Sequence, residues 1–303
     1  VGALKCRGGA LYPPRFLAGR RMTLQRMAGC MSGEVLGKTT GVGVGAQKRG
    51  LTMKLKDKVA IVTGGSQGIG EAVCQAYARE GAKVVVVNHG RPELGQRVAE
   101  KIATGGGTAA AMRCDVSKKS DVESLVESVV KEFGTVDILV SNAGRMINKV
   151  IEEYTEEEWD TMIDINLKGA FLTAQAVVPI MKEKRFGKII FVASIAGSVA
   201  FPNAVPYCAS KGGVLLITKA LAAEISQFGI NVNAISPGNT ATPLNQHLQD
   251  NPGFVKMLES FTPTNRAYIS TEEIAGAAVF LASDDARAVH GLDLIVDDGW
   301  CAI

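Results

Sequence analysis

An α/β fold, with a doubly wound parallel sheet of seven strands covered by helices on both faces, is predicted by three features of the sequence. Short β-branched runs alternate with longer amphipathic segments through residues 53–303. A glycine-rich turn, Gly64-Gly65-Ser66-Gln67-Gly68-Ile69-Gly70, joins the first such run to the first helical segment. The chain has 303 residues and is 47% hydrophobic, enough to bury one large core and to exclude disorder of the whole chain.

The elements follow in order. Residues 59–63 (VAIVT) form the first strand, and a helix over about 69–80 ends at Gly81. The second strand, 84–87, is apolar throughout, as a strand buried on both faces must be. A helix near 92–103, a strand near 109–113, a helix near 118–133 and a strand at 138–140 come next. A long helical region over about 156–184 precedes the fifth strand, 189–192; the sixth is 231–235. A helix near 271–282 and a strand at 292–296 close the unit, with six right-handed crossovers in all. Without an internal repeat or linker, residues 53–303 read as one domain.

Within the long helical region, residues 166–181 are apolar nearly all round, although a helix on a sheet needs only one apolar stripe. The second face is expected to be covered by the same helix of another copy, giving a homo-oligomer, a dimer or a tetramer; burial within one chain is the competing explanation. The uncharged stretch 189–210 is broken by Gly197, Pro202, Asn203 and Pro206, so no membrane span is expected.

Charge is uneven. Residues 1–52 carry nine basic residues against Glu34, a net +8, so the rest holds −5 of the total +3. Their eleven glycines and lack of period predict a leader without fixed structure. A bland extension is preferred there over an organelle-targeting segment or a nucleic-acid- or membrane-binding arm. The six cysteines are scattered with no C-x-x-C pair, which suggests reduced thiols and a cytoplasmic protein; no metal-ligand spacing occurs.

The glycine turn lets a phosphate approach backbone amides at a helix N-terminus, where Cβ atoms would obstruct it. Its spacing is G-x-x-x-G-x-G, not G-x-G-x-x-G, and no Lys-Ser/Thr follows, which disfavours triphosphate hydrolysis. A glycine turn with no ligand stays open at this point. In Tyr207-Cys208-Ala209-Ser210-Lys211, Tyr207 and Lys211 lie four residues apart and share a helix face. The ammonium is expected to lower the phenol pKa from about 10, making Tyr207 a general acid or base. Alone, the pair equally describes an ordinary exposed helix. Ser194 lies thirteen residues upstream, just past the fifth strand, at the sheet edge where open α/β sheets bind ligands.

Taken together, the T-G-x-x-x-G-x-G turn, the Ser194–Tyr207 spacing and Y-x-x-x-K resemble the short-chain dehydrogenase/reductase family across residues 55–299. Asp115-Val116, Asn142-Ala143-Gly144, Asn166 and Pro237-Gly238 match further motifs in order. The resemblance implies a Rossmann-like fold and roles for individual residues. Gly64, Gly68 and Gly70 would shape a pyrophosphate pocket lined by Ser66, Gln67 and Ile69. Asp115 and Val116 would touch adenine, while Asn142, Ala143 and Gly144 would wall the adenosine ribose side. Lys211 would hold the nicotinamide ribose, Tyr207 would transfer the proton, and Ser194 would polarise the substrate oxygen. Asn166 would hold a water through its backbone, and Pro237, Gly238, Thr240 and Thr242 would fix the nicotinamide and its amide. No metal is implied.

The chain departs from the family in two places. Ala193 precedes Ser194 where a polar residue is frequent. At the end of the second strand, Asn88-His89-Gly90-Arg91 replaces the acid that grips an adenosine 2′-hydroxyl. Arg91 could reach a 2′-phosphate, so NADP is favoured over NAD, although Gln67 stands where many NADP-using relatives carry a cation. Residues 241–267 are expected to form a substrate lid of mixed polarity. The expected activity is NAD(P)-dependent hydride transfer on a secondary alcohol or ketone, with a sugar, polyol or cyclic alcohol as small-molecule substrate. Alternatives are a 3-oxoacyl thioester reductase and, in another class, a dinucleotide sensor without turnover; nucleic acid is not an expected partner.

Overall fold

The computed structural model describes residues 53–302, so the expectations for residues 1–52 lie outside the described part. All seven expected strands form: β1 (Val59–Thr63), β2 (Lys83–Asn88), β3 (Thr108–Arg113), β4 (Ile138–Ser141), β5 (Gly187–Val192), β6 (Ile230–Pro237) and β7 (Asp293–Val296). They build one wholly parallel sheet in the order β3-β2-β1-β4-β5-β6-β7. The order reverses between β1 and β4, which opens a crevice at their carboxyl ends.

Pleating divides the buried strand residues between two helical layers. Val59, Ile61, Val85, Val87, Ile189 and Phe191 pack against α3 (Lys119–Phe133), α5 (Gly169–Lys184) and α6 (Val205–Ile225). Ala60, Val62, Val84, Val86, Val140 and Ile190 face the other way, toward α1 (Gly68–Arg79), α2 (Pro92–Thr104) and α9 (Thr271–Ala282). Each fully buried Val or Ile contributes about 1.5–3 kcal/mol, which explains strands apolar on both faces. Tyr77 of α1 donates its hydroxyl hydrogen to Ala278 O of α9 at 3.0 Å, closing the second layer over β1.

Three segments differ from expectation. The long helix of 156–184 is interrupted: α4 (Glu156–Ile163) starts from a Thr155–Glu158 capping box, and a π-turn, Asp164–Lys168, separates it from α5. The π-turn places the buried Asn166 against neighbouring loops, as described below. β6 runs on through Pro237, which pairs with Val296 at the strand end, where a missing N–H is least disruptive. Residues 241–267 contain a short α7 (Gln246–Gln249) and α8 (Pro252–Phe261). Pro252 stands in the first turn of α8, capped by Asn251, so this proline starts a helix.

In α5, Leu172, Val177 and Met181 are buried, but Phe171 on the opposite face is 48% exposed. One chain therefore covers only part of this apolar helix. No helix of the described residues is long and apolar enough to cross a membrane.

Candidate active site

The crevice is built first from backbone. Gly64 leaves β1 with φ +64°, and a Cβ there would stand 2.9 Å from Asn142 Nδ2. A Cβ on Gly70 would fall 2.2 Å from Gly64 O, so this turn admits glycine only. It feeds directly into α1, where Gln67 contributes no side-chain cap. The largely buried Ser66 and half-buried Ile69 lie in the same turn. A bare helix N-terminus behind a cradle that a Cβ would fill suits a pyrophosphate.

Asn142 fastens the other wall. Its backbone N–H and that of Ala143 donate to Thr63 Oγ1 at 2.9 and 3.0 Å. Asn142 Nδ2 donates to Thr63 O at 2.9 Å and to Gly64 O at 3.2 Å. The tips of β1 and β4 are thereby joined by side-chain as well as ladder hydrogen bonds.

At the end of β2, Asn88 Nδ2 donates to Arg91 O at 2.7 Å, so this side chain shapes the loop. Arg91 and Gln67, far apart in sequence, come together, Arg91 Nη2 lying 3.4 Å from Gln67 Oε1. Asp115 accepts hydrogen bonds from Ser117 N and Oγ at 3.1 and 2.6 Å. Burial works upward on its carboxyl, but those bonds, His89 and Lys118 outweigh it and hold the group below its ordinary range. The neighbouring Val116 is buried in the core. His89 Nε2 stands 3.8 Å from Asp115 Oδ2, and Arg113 Nε donates to His89 O at 3.3 Å. Sequence reasoning singled out Arg91 and missed His89; its place beside Arg91 at the strand end was the available signal.

Ser194, Tyr207 and Lys211 come together where β5 meets α6. Tyr207 and Lys211 project from the first two turns of α6, with the Lys211 ammonium 5.7 Å from the Tyr207 ring centroid. Lys211 is buried and donates to Val192 O, at the tip of β5, at 2.8 Å. Burial lowers its pKa to about 8. For Tyr207 the expected downward shift is not what the structure gives. Burial dominates and raises the phenol, with a hydrogen bond from the Ser194 side chain working downward against it. Ser194 Oγ accepts from Ala196 N at 3.1 Å, so its one hydrogen is the part left to reach the Tyr207 hydroxyl.

Asn166 has its side chain fully engaged. Oδ1 accepts from Arg145 N at 2.8 Å, while Nδ2 donates to Arg145 O at 2.9 Å and Ser210 Oγ at 3.0 Å. Ser210 in turn donates to Tyr207 O at 2.8 Å. The π-turn thus clamps the loop after β4 to the helix turn carrying Tyr207. A Cβ on Gly144, in that loop, would stand 3.6 Å from Lys211 Nζ.

On the far side, Gly238 N donates to Val296 O at 2.9 Å as the chain leaves β6 past Pro237. Thr240, largely buried, donates its hydroxyl hydrogen to Gly238 O at 3.0 Å. Thr242 reaches the glycine turn: its side-chain carbons lie 3.4 Å from where a Cβ on Gly68 would be. Thr240 and Thr242 therefore span from the β6 tip to the start of α1. Beyond them the turn Pro243–Asn245 exposes Leu244, and α8 exposes Met257 and Phe261, with Phe261 against Trp300 at 5.7 Å between ring centroids.

A doubly wound sheet with a glycine-lined crevice at its switch point is the architecture of dinucleotide-dependent oxidoreductases. A family model described as "Enoyl-(Acyl carrier protein) reductase" matches residues 64–301. The chain is 39% identical over 249 residues to cyclopentanol dehydrogenase of Comamonas testosteroni, covering 82% of this chain and 99% of the relative. It is 40% identical over 247 residues to D-threitol dehydrogenase of Mycolicibacterium smegmatis, covering 82% and 94%. Among solved structures, a gluconate 5-dehydrogenase from Burkholderia cenocepacia in complex with NADP and tartrate superposes with a TM-score of 0.80. That pair is 32% identical, with coverage of 83% and 98%. The chain belongs to the short-chain dehydrogenase/reductase family and is an oxidoreductase.

Proposed function

We propose that this enzyme interconverts a secondary alcohol and its ketone with NADP(H) as the preferred cofactor, on a cyclic alcohol, polyol or sugar-like substrate. The observation that carries the reading is the convergence of Ser194, Tyr207 and Lys211 beside the glycine cradle. The relatives that act on cyclopentanol and threitol support the substrate class, and the NADP-bound gluconate 5-dehydrogenase supports the cofactor.

Gly64, Gly68 and Gly70, with Ser66, Gln67 and Ile69, would hold the pyrophosphate. Asp115, Val116, Asn142, Ala143 and Gly144 would hold the adenosine side. Arg91, with Asn88 shaping its loop, would meet the 2′-phosphate, and Pro237, Gly238, Thr240 and Thr242 would flank the nicotinamide. When bound, the nicotinamide supplies the hydride acceptor or donor. Ser194 turns its hydrogen from the Tyr207 hydroxyl to the substrate oxygen. In reduction, Tyr207 gives its hydroxyl proton to that oxygen; in oxidation, it takes the proton back. The raised phenol pKa keeps Tyr207 protonated at neutral pH, the form an acid needs for reduction. Lys211, held by Val192 O, orients the ribose and stabilises the phenolate as it forms, and Asn166 connects Lys211 to solvent through its backbone.

Residues 241–267 form the lid over the substrate, and the outward apolar face of α5 is covered by a second copy of the chain in a dimer or tetramer. The scattered cysteines support a reducing, cytoplasmic setting. The test is Tyr207→Phe: NADPH binding measured by fluorescence stays within about twofold, while turnover on a panel of cyclic alcohols and polyols falls about 10²–10⁴-fold. Unchanged turnover removes Tyr207 from the mechanism.

A further inference from the structure

We infer that Asn245 is a positioning residue that fixes the Thr242 hydroxyl as a hydrogen-bond acceptor for the carboxamide amino group of a nicotinamide ring, an inference that rests on the dinucleotide reading above. Asn245 Oδ1 lies 3.0 Å from Thr242 N, and a backbone amide only donates, so that atom is the oxygen. Asn245 Nδ2 lies 3.0 Å from Thr240 O, which only accepts, so the orientation of the amide is fixed twice over. Thr242 Oγ1 is 3.1 Å from the same Oδ1 and must contribute its hydrogen there. Gln249 Nε2 braces the arrangement, donating to Asn245 Oδ1 at 2.8 Å and to Thr242 O at 2.9 Å.

With its hydrogen committed, Thr242 presents only lone pairs, beside the glycine turn at Gly68. Ser194 is the opposite case, its oxygen engaged by Ala196 N and its hydrogen turned outward to the Tyr207 hydroxyl. One end of the crevice is therefore set to donate to a substrate oxygen, and the other to accept from an N–H group. A nicotinamide carboxamide offers that group. A 3-acetylpyridine ring keeps the carbonyl and puts a methyl in place of the amino group.

The test compares dissociation constants of NADPH and its reduced 3-acetylpyridine analogue, read by fluorescence without turnover. The NADH pair serves equally, because both carry the same ring. Wild type is expected to favour the nicotinamide form about three- to tenfold. Asn245→Ala frees the Thr242 hydrogen to donate to the acetyl carbonyl, so the preference falls toward one, as it does in Thr242→Val. Asn245→Asp still accepts that hydrogen while losing the bond to Thr240 O, and it keeps the wild-type preference. If Asn245→Asp behaves like Asn245→Ala, Asn245 only orders the segment and the inference is overturned. Equal wild-type binding of the two rings overturns it while leaving the dinucleotide reading in place; failure to bind any reduced dinucleotide ends both.

Discussion

Arg91 and Gln67 show how much a single side chain can decide at this site. The end of β2 offers no carboxylate to repel a phosphate, and the Arg91 guanidinium meets Gln67 Oε1 of the glycine turn at 3.4 Å. Charge-assisted hydrogen bonds to a phosphate are roughly twice as strong as neutral ones. Arg91→Ala is therefore expected to raise the KM for NADPH about tenfold or more while leaving that for NADH nearly unchanged. Equal effects on both cofactors would take the 2′-phosphate away from Arg91. Tyr207 and Lys211 were legible because a fixed four-residue spacing places both on one helical face. The balance of effects on the phenol was not, because burial depends on the layers packed over α6 and leaves no mark in local sequence. The roles of Asn166 and Asn245 were hidden for a similar reason. Asn166 bonds to Arg145 and Ser210, 21 and 44 residues away. Asn245 acts on close neighbours, but only once the backbone has turned back on itself at Pro243.

Among the elements, the glycine turn and α1 are the most constrained. In Gly70→Ala the new methyl meets Gly64 O, a backbone atom that has no rotamer to relieve it. That variant is expected to lose about 1–3 kcal/mol of stability, seen as a lower Tm, and to bind NADPH far more weakly. Wild-type affinity in Gly70→Ala would mean that the turn does not cradle the pyrophosphate. Strand positions were readable from sequence because burial on both faces demands unbroken apolar runs, as in Val84–Val87 of β2. The π-turn was not, since Asp164–Lys168 carries no glycine or proline to mark a break from the helices it separates, and Asn166's partners are distant in sequence. The helices within 241–267 were not part of the lid expected there: α7 is a single short turn, and α8 starts at a proline, Pro252.

For the whole molecule, the apolar residues left outside are as informative as the core. Phe171 on α5 is 48% exposed and Leu216 on α6 is 68% exposed. Sedimentation at micromolar concentration is expected to give a dimer or tetramer, and Phe171→Glu with Leu216→Glu to shift it toward monomer. A wild-type monomer under those conditions would contradict the covering of α5 by a second copy. The join made by Asn142 has a different consequence. Because the first and fourth strands are riveted together at their tips, the two wings of the sheet meet there at a stiff seam and not at a hinge, unlike the covers of a book. On the function proposed above, cargo would then come and go past the segment that carries Thr242, as through a hatch set in a rigid wall.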